Sequence, residues 1–310
     1  MSSMLSSVAE RLYWMARYLE RAESMACLTN AYTQFILDVP RGTQPGWDSL
    51  IRIIEGEAAF SARYTEYTER NVLKFLIADI ENAGSIRYAI RAARENIRTT
   101  RGALPEQCWE LLNALHLYVS ENAESSIARR HRFHFLDRIV ARLQQTTGLI
   151  ASSVPRDHAY QFIRIGRLIE RCDMTSRVVD VATATTLGRQ NPSAPEVTWL
   201  WANLLKSLSA VSAYRREAGP VVDGSEVIDF VFKSEVFPRS VYFCLDNIVT
   251  EAEQLQHNEA VLDVIDQSKK LVRKLDAEAM TLTELHTFID RLQAKLIALH
   301  GHVSATWFIR

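Results

Sequence analysis

Residues 11–23 read RLYWMARYLERAE, a stretch that combines the spacing of an amphipathic helix with carboxylates on the side where apolar residues belong. One face of this helix is lined by Leu12, Ala16, Leu19 and Ala26. Glu23 falls within that stripe and Glu20 borders it. A carboxylate turned towards a core needs a cation, a donor network or a proton, because its unpaired burial costs several kcal/mol. The stretch therefore predicts a long helix with a polar cluster on its core face.

Two arginines accompany these carboxylates. Arg17 precedes Glu20 by three positions, so we expect it to reach Glu20 along the same helix. Arg21 lies further round the cylinder, where we expect it to face solvent or a neighbouring element.

The same charge pattern returns 150 residues later, in Arg167, Glu170, Arg171 and Asp173. Further matches follow at offsets of 153 to 155, among them Trp47 with Trp201 and Ser85 with Ser240. This order of matches predicts a tandem duplication of two halves of about 155 residues, 1–155 and 156–310, packed with pseudo-twofold symmetry. The Pro- and Ser-containing stretch 151–157 is the predicted joint, with Asp157 or a neighbour capping the next helix.

Composition places the chain among ordinary globular proteins. Its 310 residues are 47% hydrophobic and 24% charged, with a net charge of -1, which argues against a strong non-specific hold on nucleic acid or anionic membrane. Only 11 Gly and 8 Pro interrupt long amphipathic segments, so we predict an all-α fold of about a dozen helices. No stretch is apolar enough for a membrane span, and the four cysteines show no zinc or disulfide spacing, so we expect a cytoplasmic protein.

The carboxylate helices have two readings. One is a buried ion-pair lattice that locks the helices together; the other is a shared polar pocket for an ammonium group or a metal ion. No Glu is followed by His at the third position, as a di-metal bundle would require, so we expect no metal and no cofactor. The candidate pocket residues are Arg17, Glu20, Arg21, Glu23, Arg167, Glu170, Arg171, Asp173 and Arg177.

A second candidate is an arginine stripe in the fourth helix of the first half. Its members are Arg87, Arg91, Arg94, Arg98 and Arg101, spaced by four, three, four and three residues. At an offset of 155 these positions hold Tyr242, Asp246, Val249, Glu253 and Gln256, so the shared fold does not require the stripe. It is either a solvated face, with salt bridges to acids such as Asp246 and Glu253, or a site for an anion or an acidic partner.

Five blocks of the chain together resemble the Alpha-E family. They are residues 11–23, Ser85-Ile86-Arg87 with Arg94-Glu95, residues 109–113, residues 166–175, and Pro238-Arg239-Ser240-Val241. Tyr242 departs from the family pattern, which tends to carry Arg at that position.

The resemblance implies a bacterial helical protein encoded beside, or fused to, a circularly permuted ATP-grasp protein, and often near a transglutaminase-like cysteine peptidase. ATP-grasp enzymes join a carboxylate to an amine. The implied role is therefore a non-catalytic accessory subunit of a peptide- or amide-forming ligase, which binds the ligase or presents its substrate. The alternative is an enzyme that performs amide chemistry on an amino acid or peptide in the Arg/carboxylate pocket.

Overall fold

The computed structural model of the chain describes residues 5–38, 46–187 and 194–308. These residues form α-helices joined by short turns, and no strand occurs within them. The prediction of an all-α fold is confirmed. No helix in the described part is long and apolar enough to cross a bilayer.

The described part contains seven α-helices in each predicted half. Those before the joint are α1 (Ser6–Asp38), α2 (Asp48–Ile53), α3 (Glu57–Ser61), α4 (Glu69–Leu73), α5 (Ile86–Arg98), α6 (Glu106–Asn122) and α7 (Arg129–Ser153). Those after it are α8 (His158–Leu187), α9 (Ala194–Ser207), α10 (Val211–Glu217), α11 (Gly224–Lys233), α12 (Val241–Ala252), α13 (Glu259–Arg273) and α14 (Leu282–Trp307). A π-helical turn, Lys74–Ala78, follows α4, and 3-10 turns span Arg101–Ala103 and Ser125–Ile127.

The long helices α1 and α8 form the centre of the molecule. They run parallel, since Tyr13 packs against Gly166 and Glu20 further along α1 bonds to Arg171. α1 also packs on α5, α7 and α9, while α8 packs on α12, α14 and α2. The contacts of one half therefore recur in the other, as a duplication would produce, although the duplication and its boundary at residues 155 and 156 stay predictions from the sequence.

Helix ends follow local sequence signals. The Asp157 carboxylate accepts hydrogen bonds from the backbone N–H groups of Ala159 (3.0 Å) and Tyr160 (3.3 Å), which confirms the predicted cap at the start of α8. Ser85 and Ser240 cap α5 and α12 in the same way, each accepting from the N–H three residues ahead at 3.0 Å.

Candidate functional site

Glu20 projects from α1 into the contact with α8, where its side chain is fully buried. Arg171 donates two parallel hydrogen bonds to this carboxylate, from Nε to Oε1 at 2.7 Å and from Nη2 to Oε2 at 2.8 Å. Arg167 adds a bond from Nε to Oε2 at 2.9 Å, and Arg239 adds one from Nη1 to Oε1 at 3.0 Å. One carboxylate is thus shared among three guanidinium groups.

Glu170 repeats this arrangement from α8 and is almost as deeply buried. Arg21 donates from Nε to Oε1 at 2.5 Å and from Nη2 to Oε2 at 3.0 Å, and Arg17 donates from Nε to Oε2 at 2.8 Å. Each Glu-Arg pair of one helix is therefore bonded crosswise to the Glu-Arg pair of the other.

The crossing overturns one expectation from the sequence. Arg17 does not pair with Glu20 along α1; its guanidinium reaches Glu170 on α8 instead. Three-residue spacing permits the local pair, but the parallel packing of α8 brings a buried carboxylate closer. Of the two positions expected for Arg21, the structure places it against the neighbouring helix.

Neighbouring arginines keep both buried carboxylates, Glu20 and Glu170, ionised. Burial alone would raise the pKa of Glu20, but the guanidinium groups of Arg171, Arg239 and Arg167 outweigh it and hold that pKa well below its usual range. The pKa of Glu170 is lowered in the same way, with Arg21 and Arg17 overcoming the effect of burial. Both side chains are ionised acceptors, which makes them poor proton donors at neutral pH.

The two remaining carboxylates of the predicted pocket lie further along the same helices. Glu23 accepts from Arg239 Nη2 at 2.7 Å and from Gln144 Nε2 at 3.4 Å. Asp173 accepts from Arg177 Nε at 3.0 Å, and Arg177 also pairs with Glu55 at 2.7 Å. Burial raises the pKa of Asp173 despite the Arg177 guanidinium. The carboxylates thus face arginines of the chain itself.

Arg239 is the arginine of this network that the sequence analysis did not include among the pocket residues. It bonds both Glu20 and Glu23 from the turn before α12. The sequence signal was its place in the block Pro238-Arg239-Ser240-Val241, directly before Ser240, which matches Ser85. At an offset of 155 its counterpart is Gly84, so Glu170 and Asp173 have no third arginine from that turn.

A small cavity adjoins the network beside Glu20. The cavity that touches Glu20 and Arg167 measures about 40 Å³, far below the 300–1,000 Å³ typical of small-molecule sites. It has room for about one water molecule. The geometry therefore provides a crosswise clamp between α1 and α8, formed by Glu20 with Arg171 and by Glu170 with Arg21.

The arginine stripe lies mainly on α5, which packs against both α1 and α6. Arg87, Arg91, Arg94 and Arg98 belong to α5, but the helix ends at Arg98, so the prediction that Arg101 shares it was wrong. Arg101 opens the following 3-10 turn, because the chain turns there towards Pro105 and α6.

Trp109 on α6 anchors the stripe. The Arg101 guanidinium lies 3.7 Å from the centre of the indole ring and that of Arg94 lies 5.1 Å from it. Arg94 also donates to Asn113 at 2.8 Å and to Glu95 at 2.6 Å.

The stripe retains an excess of positive charge. Within the described residues its ion pairs are those of Arg94 and Arg98 with Glu95. The expected alternative of bridges to Asp246 and Glu253 does not appear there; Asp246 pairs with Lys269 of α13 at 2.5 Å. Burial, together with the nearby Arg94 guanidinium, lowers the pKa of His116 on α6.

Tyr242, which departs from the family pattern, makes a specific contact with α13. Tyr242 is buried on α12, and its hydroxyl accepts a hydrogen bond from Arg273 of α13.

No group of three or more His, Cys, Asp or Glu side chains within residues 5–38, 46–187 and 194–308 is arranged to hold a metal ion. The four cysteines are free thiols.

Comparison with known families gives one match over nearly the whole chain. The model of Alpha-E, described as a predicted alpha-helical domain with a conserved ER motif, matches residues 4–308. Searches of curated proteins and of solved structures gave no match. Two Glu-Arg dipeptides, Glu20-Arg21 and Glu170-Arg171, supply the crosswise bonds between α1 and α8.

Proposed function

The chain belongs to the Alpha-E family, and from that membership we propose that it is a non-catalytic partner subunit of a circularly permuted ATP-grasp ligase. In this proposal it docks on the ligase, or presents the substrate, in a cytoplasmic system that forms peptide or amide bonds. A transglutaminase-like peptidase is the second partner that the family resemblance suggests.

The observation that carries the proposal is the contrast between the two charged clusters. Glu20 and Glu170 are buried and fully engaged by arginines of the same chain, which suits a structural clamp. Arg91, Arg98 and Arg101 of the stripe are exposed instead. Among the described residues Arg98 pairs with Glu95, but Arg91 and Arg101 have no ion pair, so their exposed charge is available to a partner.

The stripe has the composition of a docking surface. Arginine and tryptophan are enriched among the residues that dominate protein interfaces, and here Trp109 lies half-buried between Arg94 and Arg101. Guanidinium groups pair well with carboxylates, so the matching surface on the ligase would be acidic. Complementary charge of this kind speeds association and fixes orientation.

Co-expression with the ATP-grasp protein of the same organism tests this role. We expect the two chains to co-elute in size-exclusion chromatography, and we expect ATP turnover with amino acids to depend on this chain. Separate elution, with a ligase that is fully active alone, would reject the accessory role.

The second candidate is an enzyme that acts on an amino acid or peptide through the Arg/carboxylate residues. Asp173 favours it, because its side chain keeps 18% of its surface exposed and its pKa is raised by burial, as suits a proton-transfer group. Under this reading Asp173→Asn and Glu23→Gln abolish turnover of a peptide substrate while the fold survives. An active double variant would reject it.

A further inference from the structure

A basic cavity of about 680 Å³ opens between α4, with the π-helical turn after it, and the start of α7. Its volume falls in the range of small-molecule sites. Among the described residues, its lining holds five lysine and arginine side chains and two carboxylates. It shares no residue with the clamp or with the stripe.

One of the two carboxylates, Glu69, is already neutralised by the chain itself. The side chain of Arg132 is buried and donates from Nη1 to Glu69 Oε1 at 2.8 Å and from Nη2 to the Ile127 carbonyl oxygen at 2.6 Å. Arg129 approaches the other oxygen of the same carboxylate at 3.6 Å. Glu69 therefore has no charge to spare for the remaining cations.

The remaining cations of the lining are Arg70, Lys74 and Arg130. All three are exposed, and none has an ion pair among the residues that the structure describes. The second carboxylate, Glu124, is also exposed and has no ion pair in that part of the chain. Three cations thus share a cavity with one uncommitted carboxylate, which leaves positive charge in excess.

The start of α7 adds backbone donors to the cavity. The N–H groups of His131 and Arg132 bond to the Ala128 carbonyl oxygen, at 3.1 and 3.2 Å. The N–H groups ahead of them, at Arg129 and Arg130, have no side-chain cap, and the first turn contains no acidic residue. A helix start carries partial positive charge, so arginines there repel it and an anion relieves the repulsion.

The second half of the chain shows that the fold does not require this charge. At an offset of 155, the positions of Arg70 and Lys74 hold Ser225 and Asp229, which line an acidic cavity of about 490 Å³. At an offset of 153, α7 corresponds to α14, whose first turn is closed by a capping box with Glu284. Positive charge is therefore particular to the cavity at the start of α7.

We propose that this cavity binds the phosphate group of a small molecule. A phosphate group carries roughly -1.5 to -2 charges at neutral pH and offers three acceptor oxygens, whereas a carboxylate carries one charge. Arg70 and Arg130 provide guanidinium forks, Lys74 provides a compact charge, and the start of α7 provides N–H donors. A diphosphate group matches the three uncommitted cations best. The site does not depend on the docking role of the stripe.

The test is calorimetric titration of the full chain with sodium diphosphate at constant ionic strength. We expect one site per chain, and we expect Arg70→Gln/Arg130→Gln to weaken binding by about tenfold or more. Arg215→Gln/Arg216→Gln is the matched control, because it removes the same charge from exposed positions on α10, and it should bind like the wild type. ADP in place of diphosphate distinguishes the sources of the group: tighter binding identifies a nucleotide, and equal or weaker binding identifies free diphosphate.

Thermal unfolding checks that the loss of binding is not a loss of fold. Arg70 and Arg130 are exposed, so we expect the double variant to keep the wild-type Tm without ligand. Diphosphate should raise the Tm of the wild type and of the control, but not that of the double variant. Absence of diphosphate binding, equal binding of acetate, or equal weakening in both double variants would each overturn the proposal.

The ATP-grasp complex separates this site from the docking surface. A variant Arg70→Gln/Arg130→Gln that binds the ATP-grasp protein more weakly, with diphosphate binding unchanged, would assign these arginines to the docking surface and reject the phosphate site.

Discussion

Arg171 of α8 holds Glu20 of α1 through two hydrogen bonds of 2.7 and 2.8 Å, and both groups lie in the contact between the two longest helices. The reciprocal bond, Arg21 to Glu170, completes a clamp. Each helix contributes one buried glutamate and the arginine that binds the glutamate of the other helix, so neither helix pairs these two charges by itself.

The clamp predicts an unequal cost for its two partners. Glu20→Gln leaves Arg167 and Arg171 without a carboxylate partner, while Arg239 keeps Glu23, so we expect a loss of about 3–5 kcal/mol in the free energy of unfolding. Arg171→Met leaves Glu20 with two arginines and should cost less. Urea denaturation at neutral pH measures both, and a larger loss for Arg171→Met would contradict this order.

Asp173 is expected to behave in the opposite way. Burial raises its pKa, so keeping this side chain charged in the folded chain costs stability. Asp173→Asn removes that cost, and Arg177 keeps Glu55 as a partner. We expect unchanged or higher stability in the same urea experiment, whereas a loss as large as that of Glu20→Gln would show that Asp173 belongs to the clamp.

Acid should weaken the clamp. The pKa values of Glu20 and Glu170 are lowered in the folded chain relative to 4.5, so the unfolded chain takes up protons first as the pH falls. The stability that these groups contribute is complete well above pH 4.5 and is lost progressively below it. Chemical denaturation along a pH series measures the slope, and Glu20→Gln should flatten it. An unchanged slope in that variant would refute the assignment.

Close packing at Gly166 gives a prediction that is independent of charge. A Cβ atom there would lie 2.4 Å from the Tyr13 carbonyl oxygen, so Gly166→Ala must push α1 and α8 apart. We expect a loss of about 1–3 kcal/mol in the free energy of unfolding. Gly148→Ala on α7 is the control, since a Cβ atom there meets nothing within 4 Å, and it should stabilise the helix by about 0.5–1 kcal/mol. Equal effects at the two positions would contradict the packing argument.

Much of the fold followed from local signals in the sequence. Apolar periodicity around Glu20 and Glu23 predicted a long helix with carboxylates on its core face, and Asp157 predicted the start of α8. These features depend on residues within a few turns of one another, which is the range that helical spacing describes.

The partners of the buried charges did not follow, because they are set by packing between distant segments. Arg17 meets Glu170 across 153 positions, and Arg239 meets Glu20 across 219. Helical spacing predicts contacts only between residues of the same helix. For that reason Arg17 was assigned to Glu20, and Arg239 was overlooked. The end of α5 before Arg101 was missed for a related reason. The helical spacing of the arginines continues past Arg98 into a turn, and the sequence signal for that turn is Pro105.

The docking proposal is tested most directly by the dissociation constant between this chain and its ATP-grasp protein. Calorimetry would compare the wild type with Arg91→Glu/Arg98→Glu, and with Arg215→Glu/Arg216→Glu, a control pair of exposed arginines on α10. We predict that the stripe variant binds about tenfold or more weakly, that the control binds like the wild type, and that added salt weakens the wild-type complex. Equal affinity for all three proteins would contradict the assignment of the stripe as the docking surface.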